Sequence, residues 1–449
     1  ASFALIYARN DVLAEVGQYA VITAASFLLH AAKLRVDFSD YQSTFDLSLL
    51  LTDSTGVTDP NVKKGIVDIK KGTGENAGYS VSINVSTDTV LDAIDLLNFL
   101  TSNNYYAEAI AGAISGGSGG ALSAAGAMAF IFFFNTTQAV LKQGASVEVT
   151  GDAEISASSD TTARIIAGAI SASSSKVGVG LTCAAIADQD IVNAETGVSA
   201  KVAAGGDFSQ TASSKADFMA ITVTASVTTS GTGVGGVIDA IVMDNHVTSL
   251  VNPYAQITAG GDIAVGAFSD AELMLIALSI AASGGQAAVG GTIAVVITNT
   301  EARAEVFDHA NLTSTGGAVY VSAASLERLI NVLAAASAAG GGTSVAATLG
   351  VLIALSTTKA LVDDYAVLSG YDGVYVIASA GDWMLVVAMS LSVASQNAVG
   401  ATISVNVFER TVRAAVGSHA TLTSSAGNVL VKATGETWAL LLTLAVAGS

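Results

Sequence analysis

The chain has 449 residues, a formal net charge of −19 and 12% charged side chains, about half the roughly 25% of an ordinary soluble domain. Phosphate backbones and anionic lipid surfaces attract Lys and Arg, so composition argues against nucleic acid and against an anionic membrane surface as partners. Gly supplies 45 residues, Pro 2 and Cys 1; an internal disulfide is excluded, and Cys183 reads as a small buried apolar residue.

Residues 1–30 open on ASFALIYARNDVLAEVGQYAVITAAS. No Met and no basic region precede an apolar core, so no signal peptide is expected, and the chain reads as mature or cut from something longer. The stretch aligns with AMAFIFFFNTTQAVLKQGASVEVTGDAEISAS, Gly17 falling on Gly144. It is therefore a partial repeat, entered within a second long strand. Residues 31–105 break the pattern. They hold Pro60, Lys63, Lys64, Lys70 and Lys71, and read as an insertion with a surface of its own. Within them, 86–102 predicts a short helix: Val90, Ile94, Leu97 and Leu100 recur at helical spacing, with Ser86 or Thr87 as cap.

Residues 106–435 form six repeats of 55. The two tryptophans, Trp383 and Trp438, are one period apart, and GDWMLVVAMSLSVAS sits over ETWALLLTLAVAGS. Earlier copies are LERLINVLAAASAAGGG, AELMLIALSIAASGG, ADFMAITVTASVTTSG, TTARIIAGAISASSS and YAEAIAGAISGGSGG. Each unit predicts a first long strand, a Gly/Ser turn, a second long strand, a polar corner and two shorter strands. The long strands read as apolar on both faces, as when a strand is covered on both sides. Residues 436–449 begin a seventh repeat as a lone strand.

A unit of this size cannot bury its own apolar faces, and stacked copies can. The predicted fold is all-β, a β-solenoid (β-helix) of 55-residue repeats with one inserted segment containing a short helix. Two coils per repeat, or one wide coil with a protruding hairpin, both fit the Gly spacing. Units such as VGGTIAVVITNTEARAEVFDHANLTSTGGAVYVSA resemble the β-strand repeats of giant bacterial surface adhesins of the filamentous-haemagglutinin-like and leukotoxin-like kind. The resemblance implies an extracellular location and a scaffold or adhesive role.

Asp217, Glu272, Glu327 and Asp382 stand 55 apart. One rung per repeat would set like charges about 5 Å apart, which demands wider spacing, partial protonation or bridging cations. Solvated turn acids are preferred to a calcium ladder, and no cofactor is expected. Asp152, Asp207 and Asp262, each after a Gly, read as turn residues. Of His30, His246, His309 and His419, only His309 and His419 share a column, and corner roles are preferred to a metal site. No G-x-S-x-G elbow marks a nucleophile and no phosphate loop follows the Gly-rich stretch, so no enzyme is expected. The long uncharged runs split into ten-residue halves that match membrane β-strands in length. They read as lacking the lipid-out, polar-in alternation, so no membrane insertion is expected.

These features predict a structural subunit of an extracellular filament or adhesive fibre. It would assemble head to tail, with itself as partner and a host or surface glycan or protein as a further one. Trp438, Leu440, Leu442, Leu444 and Val446 at one end, and Phe3, Leu5 and Tyr7 at the other, are the candidate assembly interface. A β-helix polysaccharide-active enzyme and an outer-membrane β-barrel are the alternatives.

Overall fold

Every described strand but two belongs to a stack of parallel rungs. The structure is a computed structural model that describes residues 1–33, 67–71, 79–83, 105–115, 122–174 and 176–449. The chain forms two compact units, Ala1–Leu34 with Ala107–Ser449, and Arg35–Tyr106. Among the described residues there is no helix; the helix expected over 86–102 lies outside them. In the smaller unit, β4 (Val67–Lys71) and β5 (Tyr79–Ile83) form an antiparallel pair.

The larger unit has three parallel sheets. The first contains β1 (Ser2–Val16), β7 (Leu122–Leu141), β10 (Val177–Thr196), β13 (Thr232–Val251), β16 (Ala287–Val306), β19 (Thr343–Val362) and β22 (Asn397–Val416). The second is narrow: β2 (Val21–Ala24), β8 (Ser146–Val149), β11 (Lys201–Ala204), β14 (Gln256–Ala259), β17 (Asn311–Ser314), β20 (Val367–Gly370) and β23 (Thr421–Ser424). The third contains β9 (Ala153–Ser173), β12 (Phe208–Thr228), β15 (Ile263–Ser283), β18 (Ala318–Ala339), β21 (Gly373–Ala394) and β24 (Asn428–Gly448). Its first rung is split: β3 (Phe27–Lys33) and β6 (Tyr105–Ser115) both pair with β9.

Each repeat is one wide coil: a long strand, a short strand, a long strand, a turn. Residues one period apart are bonded neighbours, as Cys183 with Ile238 and Ile238 with Ile293. The expected layout of four strands per unit is corrected to three. The second short strand runs without a break into the following long one, as in Ala318–Ala339. Twenty residues extend about 66 Å, so each coil is a flattened loop whose two long sheets face each other.

Its interior changes character along that length. Near the short strands it is an ordinary core, built from columns such as Val202, Ile257, Leu312 and Leu368. Toward the turn end the two long sheets approach so closely that glycine faces backbone. A Cβ on Gly233 would lie 2.7 Å from Ala282 O, and one on Gly290 2.7 Å from Ala336 O. Hydroxyls fill what room is left and bond across the gap: Ser226 Oγ donates to Gly178 O (2.7 Å), Thr292 Oγ1 to Ala334 O (2.8 Å) and Thr348 Oγ1 to Met389 O (2.7 Å). The long strands are therefore not apolar on both faces, because the inner face here is Gly, Ala, Ser and Thr.

The corner before each short strand needs a left-handed residue. Tyr19, Gly144, Ser199, Tyr254, His309, Tyr365 and His419 all have φ between 55° and 67°. Tyr254, His309, Tyr365 and His419 stack with ring centroids 4.9–5.1 Å apart; contacts of this kind offset the strain of non-Gly residues there. His309 and His419 are thus corner residues. The Asp152 column works as a ladder. Asp207 N donates to Asp152 Oδ1 (2.9 Å), Asp262 N to Asp207 Oδ1 (2.8 Å) and Ala318 N to Asp262 Oδ1 (2.7 Å). Asp207→Ala is expected to cost about 1 kcal/mol, read as a lowered unfolding temperature, with Asp207→Asn losing less.

Candidate assembly surfaces

Among the described residues the stack ends in open edges: β1, β2, β3 and β6 border one end and β22, β23 and β24 the other. Side chains buried in every middle coil are uncovered there. Leu275 and Val386 are each 1% exposed, whereas Leu441, next in that inner column, is 43% exposed. The residues picked from the sequence lie on these end strands, all with their side chains exposed. Trp438 stacks on Trp383 with centroids 5.1 Å apart, Phe3 packs on Phe130 (5.9 Å) and Tyr7 on Phe134 (5.8 Å). They belong to outward-facing columns. The side chains that a further coil would bury alternate with them: Leu441, Thr443 and Ala445 at one end, Ala4, Ile6 and Ala8 at the other. The period of two that separates the sets was readable in the sequence.

The outer faces of both long sheets divide at mid-strand. On the half near the short strands they are polar and cross-linked between rungs. His246 sits between Asp244 (Nε2–Oδ1 3.0 Å) and Glu301 (Nδ1–Oε2 3.2 Å), and Asn299 Nδ2 donates to Asp244 Oδ1 (2.8 Å). The hydrogen bond with Glu301, ahead of the other carboxylate charges, raises the His246 pKa above its ordinary value. On the half near the turns the outer faces are apolar. Met128, Cys183, Ile238, Ile293, Leu349 and Ile403 form one column of the first sheet. Ile166, Ile221, Ile276, Val332, Val387 and Leu442 form one of the third. Cys183 is thus a half-exposed residue of the outer face, not a buried one. In β12 the alternation is complete: Met219, Ile221, Val223, Ala225 and Val227 face out, while Ala220, Thr222, Thr224, Ser226 and Thr228 face in. The expectation that such alternation is missing is corrected.

Where the halves meet, charges gather. The acidic column is not continuous. An extra residue between β17 and β18 changes the register from 55 to 56, so Glu272 pairs with Arg328 and Glu327 with Ala271. A one-residue slip moves a side chain to the other face. Asp217 and Glu272 therefore remain outside, while Glu327 is buried inside. Arginines offset the repulsion. Arg164 binds Asp217 through Nη1–Oδ1 (2.6 Å) and Nη2–Oδ2 (2.5 Å); Arg328 reaches Asp270 (3.2 Å) and Glu272 (3.5 Å). Inside, Arg410 pairs with Asp382, and Thr298 Oγ1 donates to Glu327 Oε1 (2.6 Å). Burial raises the Glu327 pKa to about 7, against the lowering effects of Thr298 and Arg410. On β10, burial and then Asp190 push Asp188 well above the carboxylate range, with Lys33 opposing. Burial raises Asp190 as well. Desolvation lowers the Lys33 pKa although Asp190, Asp188 and Asp160 favour its charge.

A cavity of about 480 Å³ lies along this line on the third sheet, lined by Lys33, Asp160, Lys215, Phe268, Asp270 and a row of serines. Among the described residues no three His, Cys, Asp or Glu side chains are grouped to hold a metal ion. His30 Nδ1 lies 2.7 Å from Ser156 Oγ.

The fold defines the chain as a parallel β-solenoid with one coil per repeat. It matches no known family, no curated protein and no solved structure.

Proposed function

We propose that the chain is a structural subunit of an extracellular, cell-surface filament or fibre that stacks head to tail with further copies of itself. The observation that carries this reading is the pair of open coil ends. Among the described residues each presents unpaired parallel edges and inner columns that every internal coil covers. Open apolar strand edges are templates for pairing with a further chain, and each of these edges matches the other in register. The contact of one end on the other is heterologous and does not close, so it propagates. The likeness of the repeats to those of giant surface adhesins supports the extracellular setting.

Purified chain concentrated at neutral pH should elongate, seen by negative-stain microscopy as fibres with the coil cross-section. Leu441→Lys leaves the single chain folded, because that side chain is exposed there. In a stack it would sit where Val386 is buried, so elongation should stop. Wild-type protein that stays monomeric at high concentration, or fibres unaffected by Leu441→Lys, would overturn the proposal.

A further inference from the structure

The half of the solenoid nearest the turns has inverted polarity. Outside it is apolar on both broad faces; inside, hydroxyls, Gly and Ala predominate, with Leu275, Leu333, Asn331 and Asp239 among them. A chain folded for water alone has no use for this arrangement, which forfeits an apolar core and exposes the apolar side chains. We infer that this half is a blade that crosses the hydrocarbon core of a lipid bilayer edge-on, with the polar half remaining in water. The inference rests on head-to-tail stacking, in which a neighbouring copy pairs the end strands within the hydrocarbon, where open edges are not tolerated.

Four observations favour hydrocarbon over a protein partner. First, the two apolar faces stand at the same level. Thr182 Oγ1 lies 2.6 Å from Thr224 Oγ1, and their outward neighbours Leu181 and Val223 belong to opposite faces. A second copy docked on one face would leave the other bare, whereas lipid covers both. Second, the band runs from Met219 to Val227 on β12, nine residues or about 30 Å, the thickness of the hydrocarbon core. Third, many inner hydroxyls of the band bond to the facing sheet, as Ser226 Oγ to Gly178 O and Thr224 Oγ1 to Gly236 O; Asp239, which accepts from Thr222 Oγ1 through one oxygen only, and the Asn331 amide are the exceptions that a dry environment penalises. Fourth, Trp383 and Trp438 lie on the border between the apolar and charged zones, the level that tryptophan favours in membranes. The turns beyond the band carry little charge. They read Thr229-Ser230-Gly231, Gly284-Gly285-Gln286 and Gly340-Gly341-Gly342, with Lys176 at the turn before β10. Glu108 of β6 marks the first coil as the rim of the band.

The blade differs from a membrane barrel in enclosing no lumen. Its two sheets close against each other through glycine and hydroxyl contacts. The net charge of −19 selects zwitterionic over anionic lipid for the test.

Full-length chain refolded with phosphatidylcholine vesicles should float with them in a density gradient. Lipids brominated near the carbonyls should quench Trp383 and Trp438 more than lipids brominated near the chain ends. Leu278→Lys, at mid-band on an outer face, should reduce floated protein at least tenfold. Thr248→Lys on the polar half should leave it unchanged, and circular dichroism checks that both variants fold. Fibres that form but sediment away from vesicles would overturn this inference and leave head-to-tail stacking intact. Protein that floats as single copies would overturn the stacking on which it rests. Face-to-face pairs that form without lipid and dissolve in Leu278→Lys would assign the faces to a second copy and overturn the inference as well.

Discussion

Replacing Gly235 by valine is expected to cost on the order of 3 kcal/mol or more, whereas alanine at the same site should cost about 1 kcal/mol. A Cβ on Gly235 would lie 2.8 Å from Ile280 O and 3.1 Å from Ser279 Oγ. The first of these is backbone of the facing sheet and cannot rotate away. The inner column through this position is Gly180, Gly235, Gly290, Ala346 and Gly400. Ala346 occupies it fully buried, so the sheets accept one methyl at one rung. The γ-carbons of valine would have to push two backbones apart. In a stack each coil is held only by its neighbours, so a wedge in the middle separates two blocks instead of loosening one site. Thermal unfolding of Gly235→Val should split into two steps, and amide exchange in β12, β13 and β15 should accelerate selectively. A single transition at the wild-type temperature would refute the close approach of the sheets.

The period of 55 was fully legible, because bonded neighbours in a parallel stack see the same surroundings and select the same residue type. The number of coils per repeat was not. Gly/Ser turns recur at about half the period, and a tight turn between facing sheets has the same composition as a corner between coils. The slip between β17 and β18 was invisible for a related reason. Glu327 keeps a separation of 55 from Asp382 and from Glu272, yet only Asp382 is its bonded neighbour. The residues proposed for the two ends lie on β1 and β24, where they point outward. Trp438 drew attention through its repeat with Trp383, whereas the inner column through Leu441 changes from leucine to asparagine to valine and announces nothing. Reading Ala and Gly as apolar concealed the alternation in MAITVTASVT. Once they are counted as small, the five outward positions from Met219 to Val227 separate cleanly from the inward Thr and Ser.

Stability is expected to fall as pH rises from about 5 to 8, and Glu327→Gln should remove its own share of that fall. Glu327 is 2% exposed, and its pKa is raised from 4.5 to about 7 in the folded chain. A raised folded pKa means that the native state holds a proton which the unfolded state has released. Below pH 4.5 both states are protonated and the full stability is present. Between 4.5 and 7 the unfolded state gains by ionising and the folded state does not, so stability declines. Above 7 both are ionised and the loss is complete. A shift of this size corresponds to about 3 kcal/mol. Asp188, Asp190, Glu305 and Asp363, raised by the same burial, and His246, whose raised pKa also favours the low-pH side, act in the same direction and leave a large residual slope. Glutamine keeps the volume and still accepts the Thr298 hydroxyl, which donates across 2.6 Å to Glu327 Oε1. The variant should therefore match wild type near pH 5 and exceed it at pH 8. Guanidinium midpoints at both pH values, followed by circular dichroism, make the comparison. Parallel wild-type and variant profiles would mean that the carboxyl reaches solvent, and that the register slip does not turn it inward.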